Sequence, residues 1–418
     1  MNLRLAVLLL ALASAAGEAP GPAAPAPVAR GPQAHVLTGL DVLEKSGFAQ
    51  LQGKRVGLIT NQTGKDLAGR TTVDALANAP GVTLAKLFSP EHGFTGMSED
   101  HVVSSTTLLI NGRPVPIISL YAGGIQGMRP KPSDLKDLDV LVFDIQDIGA
   151  RFYTYLATMG MALEEAASAG VPFIVLDRPN PITGRIMEGP ILEDLTLRQV
   201  TSTAYFPMPV RHGLTAGEVA LLHNIEVNHP ALSVVKMKGW KRSMWYDRTG
   251  LPWTPPSPNM PDLDAATLYP GVACFEASNI SVGRGTPFPF RWIGAPWLKS
   301  DAMLKRLKTA KLKGISFASQ AYVPSKSVFA GQRCEGVRMT ITDREKLEPL
   351  KVFAHLAAAF RDLQPEFVWR WDETKRMVGT DSFKELYESS APAKGFINLF
   401  DTGPKSFRST RRAFLLYD

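Results

Sequence analysis

Five short apolar runs, four of them closed by polar side chains capable of chemistry, constrain this chain more than any other feature. Residues 55–60 (RVGLIT) lead into Asn61, and residues 84–88 (LAKLF) into Ser89-Pro90-Glu91-His92. Residues 115–120 end at Tyr121, residues 140–145 (VLVFDI) at Gln146-Asp147, and residues 171–176 (VPFIVL) at Asp177-Arg178-Pro179-Asn180. Runs this short, β-branched and apolar on both faces, suit strands buried in a parallel sheet. Helical patterns fall between them, at residues 71–79 and most clearly at 153–169, which Gly170 and Pro172 stop. Thr215-Ala216-Gly217-Glu218 has the form of a capping box opening a further helix. Strands alternating with helices predict βαβ units and a doubly wound α/β sheet. In open sheets of this kind ligands bind beyond the carboxyl ends of the strands. Asn61, Glu91, His92, Asp144 to Asp147 and Asp177 to Asn180 are therefore expected along one rim.

The character changes after residue 228. Residues 243–291 are dense in Pro, Gly, Trp and Asn, and long irregular segments of this sort are usually functional. Helix patterns at 298–312 and 345–363, with strand patterns at 315–322 and 336–342, predict a smaller α/β domain. The expected organisation is a signal peptide at 1–16, a Pro/Ala-rich leader at 17–34, a catalytic α/β domain at 35–228 and a second α/β domain at 229–418. The signal reading rests on a basic start at Arg4, an apolar run at 5–12 and the small residues Ala13-Ser14-Ala15. That run is too short to span a bilayer. Export to the periplasm or the cell exterior, without stable membrane insertion, is the expectation.

Composition narrows the function. Lys and Arg number 46 against 39 Asp and Glu, a formal charge of +7, but no dense basic block of the nucleic-acid type is present. The excess is spread out apart from residues 299–313, which read as an amphipathic helix with a solvated basic face. An exported protein of this charge is drawn toward anionic wall polymer. The two cysteines, Cys274 and Cys334, are too few for a disulfide framework or a zinc site, and two buried free thiols are expected rather than a bridge. Walker A, dinucleotide-binding, HExxH and nucleophile-elbow patterns are missing from the sequence, so no cofactor and no metal are expected.

Five constellations remain. Leu87-Phe88-Ser89-Pro90-Glu91-His92-Gly93-Phe94 puts a carboxylate and an imidazole just after a strand, with Phe88 and Phe94 as candidate walls of the apolar pocket that a general acid requires. Asp144 to Tyr155 gathers two carboxylates, Gln146, Arg151, Tyr153 and Tyr155 at a strand-to-helix passage, a set suited to gripping hydroxyls and stacking on sugar faces. Asp177-Arg178-Pro179-Asn180-Pro181 is a proline-fixed turn, divided between ligand contact and scaffold. Pro255-Pro256-Ser257-Pro258-Asn259 is a stiff loop presenting an amide. Glu276-Ala277-Ser278-Asn279, followed by Gly283-Arg284-Gly285, offers a further carboxylate, a further amide and an arginine flanked by glycines.

Together with Gly57-Leu58-Ile59-Thr60-Asn61-Gln62-Thr63-Gly64, these segments resemble one family, the exo-β-N-acetylmuramidases of the NamZ type. The resemblance runs from about residue 37 to the C-terminus. It implies a Rossmann-like N-terminal domain, a smaller C-terminal α/β domain and an active-site cleft between them. It also implies a peptidoglycan-derived saccharide as substrate, with release of N-acetylmuramic acid from non-reducing ends, and it maps the catalytic glutamate of the SPEHG motif onto Glu91. Ala277 stands where the family often has Gly, which bears on fine substrate preference.

On this reading Glu91 protonates the leaving oxygen or activates water, His92 orients it or binds a hydroxyl, and Glu276, Asp144 or Asp147 supplies a second carboxylate, unless the substrate's own acetamido group serves as nucleophile. Arg151, Arg178 and Arg284 are equal candidates for the lactyl carboxylate, since a guanidinium pairs with it bidentately. Asn61, Gln146, Asp147, Tyr153, Asp177, Asn180, Asn259 and Asn279 complete the expected binding set. The same residues also suit a non-catalytic periplasmic binding protein for amino-sugar acids. Oligomeric state is not legible.

Overall fold

The computed structural model describes residues 35–98 and 104–418. The expected signal peptide and leader lie outside the described residues. The first sheet is built from β1 (Arg55–Thr60), β2 (Thr83–Ser89), β3 (Thr106–Ile110), β4 (Arg113–Ser119), β5 (Val140–Asp144), β6 (Phe173–Leu176) and, further along the chain, Leu232–Val235. Between these last two strands lies an antiparallel ribbon of β7 (Glu188–Ile191) and β8 (Pro209–Arg211), so Leu232–Val235 is β9. The strand order is β3-β4-β2-β1-β5-β6-β9, parallel except for the hairpin of β3 on β4.

Alternation along each strand fixes the layering. In β5, Val140 and Val142 point to one face and Leu141 and Phe143 to the other, all almost fully buried. The first face packs on α1 (Gly39–Lys45) and α2 (Thr72–Ala77) through Leu40, Leu43, Val73 and Leu76. The opposite face receives α4 (Thr154–Ala169) and α5 (Ala216–Val227), with the short α3 (Pro132–Leu135) beside α4. The capping box is formed: Thr215 accepts from the Glu218 amide, and the Glu218 carboxylate from the Thr215 amide. Gly170 ends α4 in the left-handed conformation, at φ 67°.

The expected strands and helices of this half are present, but the sheet extends further than foreseen. The boundary near residue 228 falls inside it, because β9 pairs with β6 in register Phe173↔Leu232 to Leu176↔Val235. The irregular stretch 243–291 also holds a buried helix, α6 (Leu263–Val272). Its sequence conceals this, because Pro270 and Gly271 sit within the helix.

The second sheet is antiparallel, in order β10-β12-β11, from Trp292–Ala295, Ile315–Tyr322 (β11) and Cys334–Ile341 (β12). It packs with α7 (Ser300–Ala310), which in turn packs on α8 (Pro349–Leu363). Four helices finish the chain: α9 (Trp371–Val378), α10 (Ser382–Glu388), α11 (Ala393–Phe400) and α12 (Thr402–Arg412). One apolar cluster runs from Phe143 and the α4 residues through α6 to Ile293, Val337 and Phe353 of the second half. Residues 34–418 accordingly form one compact unit. Cys274 and Cys334 are both buried free thiols.

The chain end returns to the first sheet. The Tyr417 hydroxyl donates to Asp177 at 2.6 Å, the Leu416 amide donates to Glu218 at 2.8 Å, and the Asp418 carbonyl accepts from the Arg242 amide at 2.8 Å.

Candidate active site

Beyond the carboxyl edge of the first sheet a cleft of about 680 Å³ opens between the two halves of the chain. Its lining includes Glu91, His92, Tyr121, Tyr153, Thr154 and Asn259, together with Tyr269, Glu276, Arg284, Phe290, Lys326 and Arg376.

Glu91 stands one residue past Pro90 at the end of β2. The chain then turns through His92 (φ 66°) and Gly93 (φ 75°), both in the left-handed region. For a histidine that conformation is costly, and persists only where neighbours over-determine it. Two bonds do so: His92 Nδ1 lies 2.8 Å from the Ser98 carbonyl, and the Ser98 amide donates back to the His92 carbonyl at 3.1 Å. A carbonyl can only accept, so Nδ1 carries a hydrogen in this pair. The Glu91 carboxylate is held at both oxygens: Oε1 accepts from the Tyr121 hydroxyl at 3.1 Å and Oε2 from the Thr154 hydroxyl. Thr154 opens α4, so the positive end of that helix faces the carboxylate. Burial, with Glu91 beside it, raises the Tyr121 phenol well above its ordinary range, so it remains a donor at neutral pH.

The facing wall follows α6. Both Glu276 oxygens are taken by Arg284, one of them at 3.1 Å, and the guanidinium lies 5.1 Å over the Phe290 ring. Burial opposes the Arg284 charge, but Glu276 more than offsets it and holds the group firmly ionised. Gly285 has φ 75°, and a Cβ there would fall 2.4 Å from the Lys326 amide nitrogen; glycine is what lets this loop meet the β11–β12 turn. The apolar surface comes from Phe152, Tyr269 and Phe290, with Tyr269 and Phe290 edge to face at 4.6 Å. The expected walls are elsewhere: Phe88 is fully buried in the core, and Phe94, in the turn past the end of β2, packs against the other apolar cluster, so neither lines the cleft.

Asn259 is positioned by a braced loop. Gln62 Nε2 donates to the carbonyls of Pro255 and Pro256 at 2.8 and 3.0 Å, and the Tyr155 hydroxyl donates to Pro256 at 2.5 Å.

The rim expected from the strand ends does assemble, but most of its members bond to one another. Asp144 is fully buried, paired with Arg178 at 2.5 and 2.9 Å, and bonded by the Thr72 hydroxyl. Asn61 accepts from the amide and hydroxyl of Thr63, and Gln146 donates to the carbonyls of Asp147 and Pro179. Asp147 is buried and accepts from the Gly149 amide; burial pushes it up to about 7. His212 Nε2 is 3.9 Å away, too far for a hydrogen bond, and burial holds that ring neutral by lowering it to about 3. Asp177 caps α5 through Thr215 and Gly217, and burial raises it to about 6. Asn180 donates to the Leu214 carbonyl, and Asn279 pairs with the backbone of Glu366 and Val368. None of these lines the cleft.

Arg151 is almost fully buried behind the cleft. Its guanidinium donates to the carbonyls of Arg376 (3.3 Å) and Met377 (2.8 Å) in the last turn of α9. Burial lowers it to about 10, so it keeps its charge at neutral pH. Of the three arginines weighed for the lactyl carboxylate, Arg151 and Arg178 are thus committed to backbone or to Asp144, and Arg284 is bound to Glu276. Sequence reasoning missed Tyr121, Tyr269, Lys326 and Arg376. Tyr121 follows the rule that found Glu91, since it directly ends a strand run; Arg376, within a solvated helix, carries no such sign.

A ring-sized cleft with a braced carboxylate, an ion-paired second carboxylate and several phenols has the make-up of a glycoside-hydrolase site on an α/β scaffold. Residues 56–264 match the family described as exo-β-N-acetylmuramidase NamZ, N-terminal, and residues 267–417 match its C-terminal counterpart. The chain belongs to the NamZ family. It is 40% identical over 388 residues to the peptidoglycan β-N-acetylmuramidase NamZ of Bacillus subtilis (strain 168), covering 91% of each chain. Two crystal structures of DUF1343 family proteins from Bacteroides fragilis NCTC 9343 share the fold. One has TM-score 0.83 at 35% identity, covering 93% of this chain and 100% of that one; the other has TM-score 0.72 at 28% identity, covering 92% and 99%.

Proposed function

We propose that this chain is an exo-acting glycosidase that releases N-acetylmuramic acid from the non-reducing ends of peptidoglycan fragments, with Glu91 as general acid/base. The observation that carries the reading is the Glu91 carboxylate, fixed at both oxygens by Tyr121 and Thr154 and set in the cleft wall. A proton-transfer group must be held in one orientation to meet the glycosidic oxygen, and these two donors do that. Glu276, with both oxygens on Arg284, is engaged as an electrostatic partner rather than presented as a free nucleophile. Asp144 and Asp147 lie outside the cleft lining. That leaves the substrate's acetamido oxygen or a Glu91-activated water as the attacking group. Export to the periplasm or the cell exterior is part of the same proposal, supported by the apolar run at residues 5–12 and the small residues after it; a mature N-terminus still beginning at Met1 would refute it.

The test is nitrophenol release from para-nitrophenyl β-N-acetylmuramic acid and from the matching N-acetylglucosaminide, by the wild-type chain and by Glu91→Gln. Release from the muramic substrate, lowered about 10²–10⁴-fold in Glu91→Gln, is expected. Undiminished release by the variant would remove Glu91 from the chemistry. Binding of N-acetylmuramic acid without any turnover would instead mark a non-catalytic binding protein.

A further inference from the structure

Four cationic or protonatable groups line the cleft: His92, Arg284, Lys326 and Arg376. Arg284 already holds a carboxylate, Glu276, through its Nε and Nη2. Arg376 differs. Its Nε is buried, and its side chain has neither a hydrogen bond nor an ion pair among the described residues. Of the other charged groups of α9, Glu373 pairs with Arg370 at 2.8 Å and Lys375 with Asp194 and Asp381 at 3.0 and 2.8 Å, while Asp372 is exposed.

An arginine near a helix C-terminus is favourable for the helix alone. A cation placed for that reason would sit in solvent; one with a buried, unpartnered Nε in a cavity wall has given up hydration without compensation. Such a donor is matched by a ligand that brings the acceptor.

We propose that Arg376 is the carboxylate-recognition residue of this cleft, the group that reads the lactyl carboxylate of a muramic acid residue at the non-reducing end. The assignment rests on the glycosidase reading above. The planar fork matches a carboxylate with two parallel hydrogen bonds, and the carboxylates that line the cleft are engaged elsewhere: Glu91 by Tyr121 and Thr154, Glu276 by Arg284 and Glu373 by Arg370.

The backbone beneath Arg376 is rigid. Arg151 donates to the Arg376 and Met377 carbonyls from below, satisfying groups that the end of α9 would otherwise leave bare. Gly379 closes the helix at φ 105°, and a Cβ there would lie 2.9 Å from Arg151 Nη2. Arg151 thus serves as a positioning residue: it aims Arg376 and does not meet the sugar. Thr201 and Thr203 line the same cleft on a 3₁₀ turn packed against α9, their hydroxyls 3.0 Å apart. They offer further donors beside the guanidinium.

The experiment compares para-nitrophenyl β-N-acetylmuramic acid with its lactyl methyl ester, which keeps the shape and removes the charge. The wild-type chain is expected to favour the free acid by about 10- to 100-fold in kcat/KM, the range for hydrogen bonds to a charged group. Arg376→Ala should lose that factor on the acid through KM and leave the ester within about threefold. Arg376→Lys should recover part of it, as a point charge without the fork. A free-acid preference that survives Arg376→Ala, or is lost only in Lys326→Ala, overturns the assignment. So does an equal loss on both substrates, which would mark a structural role. Turnover of neither substrate by the wild-type chain would refute the glycosidase reading. The subsite would still be measurable by calorimetric binding of N-acetylmuramic acid and its methyl ester, with the same loss expected in Arg376→Ala.

Discussion

Asp144→Asn separates scaffold from chemistry at a residue whose strand-end position suggested catalysis. The carboxylate is fully buried and bonds Arg178 Nε at 2.5 Å and Nη2 at 2.9 Å, together with the Thr72 hydroxyl. Asparagine keeps the shape and one acceptor oxygen, but it removes the charge and sets an amide donor against a guanidinium donor. Arg178, itself nearly fully buried, then keeps only the Lys65 carbonyl as an undisturbed partner. Breaking a buried pair by removing one partner costs about 3–5 kcal/mol, out of a typical total of about 5–15 kcal/mol. Unfolding entropy scales with chain length, and for a unit of this size that loss lowers Tm by about 4–6 °C. The assay is a thermal melt of the purified variant, paired with kcat on the muramic substrate at a temperature where the variant is fully folded. The expected result is a lowered Tm with kcat within about threefold of wild type, since Asp144 lies outside the cleft lining. An unchanged Tm with kcat down a hundredfold or more would refute the reasoning and return Asp144 to the chemistry.

Three further outcomes follow from the same geometry. Tyr121→Phe removes the donor to Glu91 Oε1 at 3.1 Å and should lower kcat about tenfold with little change in Tm, a hydrogen bond to a charged group being worth about 1.5–3 kcal/mol; an unaltered kcat would show that Thr154 alone suffices. Burial raises Asp147 to about 7, above its unfolded value, so between about pH 4 and pH 7 the folded state binds more protons than the unfolded one, and stability falls as pH rises through that window. Asp147→Asn should therefore gain urea midpoint relative to wild type on going from pH 4.5 to pH 8, and parallel pH profiles would contradict the assignment. Gly271→Ala, which helix propensity alone scores as stabilising, should instead destabilise by about 1–3 kcal/mol in urea titration, because the new Cβ would lie 2.1 Å from the Pro349 carbonyl oxygen where α6 meets α8.

The strands β1, β2, β4, β5 and β6 of the first sheet and its two longest helices were legible because each obeys a local rule. A both-face apolar run such as VLVFD can only be a central strand, and TAGE caps a helix wherever it stands. The β3–β4 hairpin, β9 and α6 were not, for a different reason in each case. The strand β3 has a largely exposed burial pattern, β9 is four residues long, and α6 carries Pro270 and Gly271, which read as breakers until Pro349 of α8 is seen against the glycine. The site divides the same way. Position at a strand end foretold which residues gather on the rim, but it does not say whether a side chain there faces its neighbours or a cavity. Asp144 and Arg178 bear the same sequence signature as Glu91 and differ only in that each finds the other. Arg376 was invisible because a cation on a short helix with Lys375 beside it looks like solvated surface, and only the vacancy around its Nε distinguishes it.

The last residues of the chain act as a clasp. Tyr417 reaches the same Asp177 carboxylate that caps α5, Leu416 donates to the capping-box glutamate of that helix, and Asp418 bonds the backbone of Arg242. Synthesis of the first sheet is therefore finished long before its cap is complete, and the seven-stranded half waits on Leu416, Tyr417 and Asp418 for its closing bonds. Removing these residues would strip bonds from the N-terminal cap of α5, a helix in the middle of the sequence.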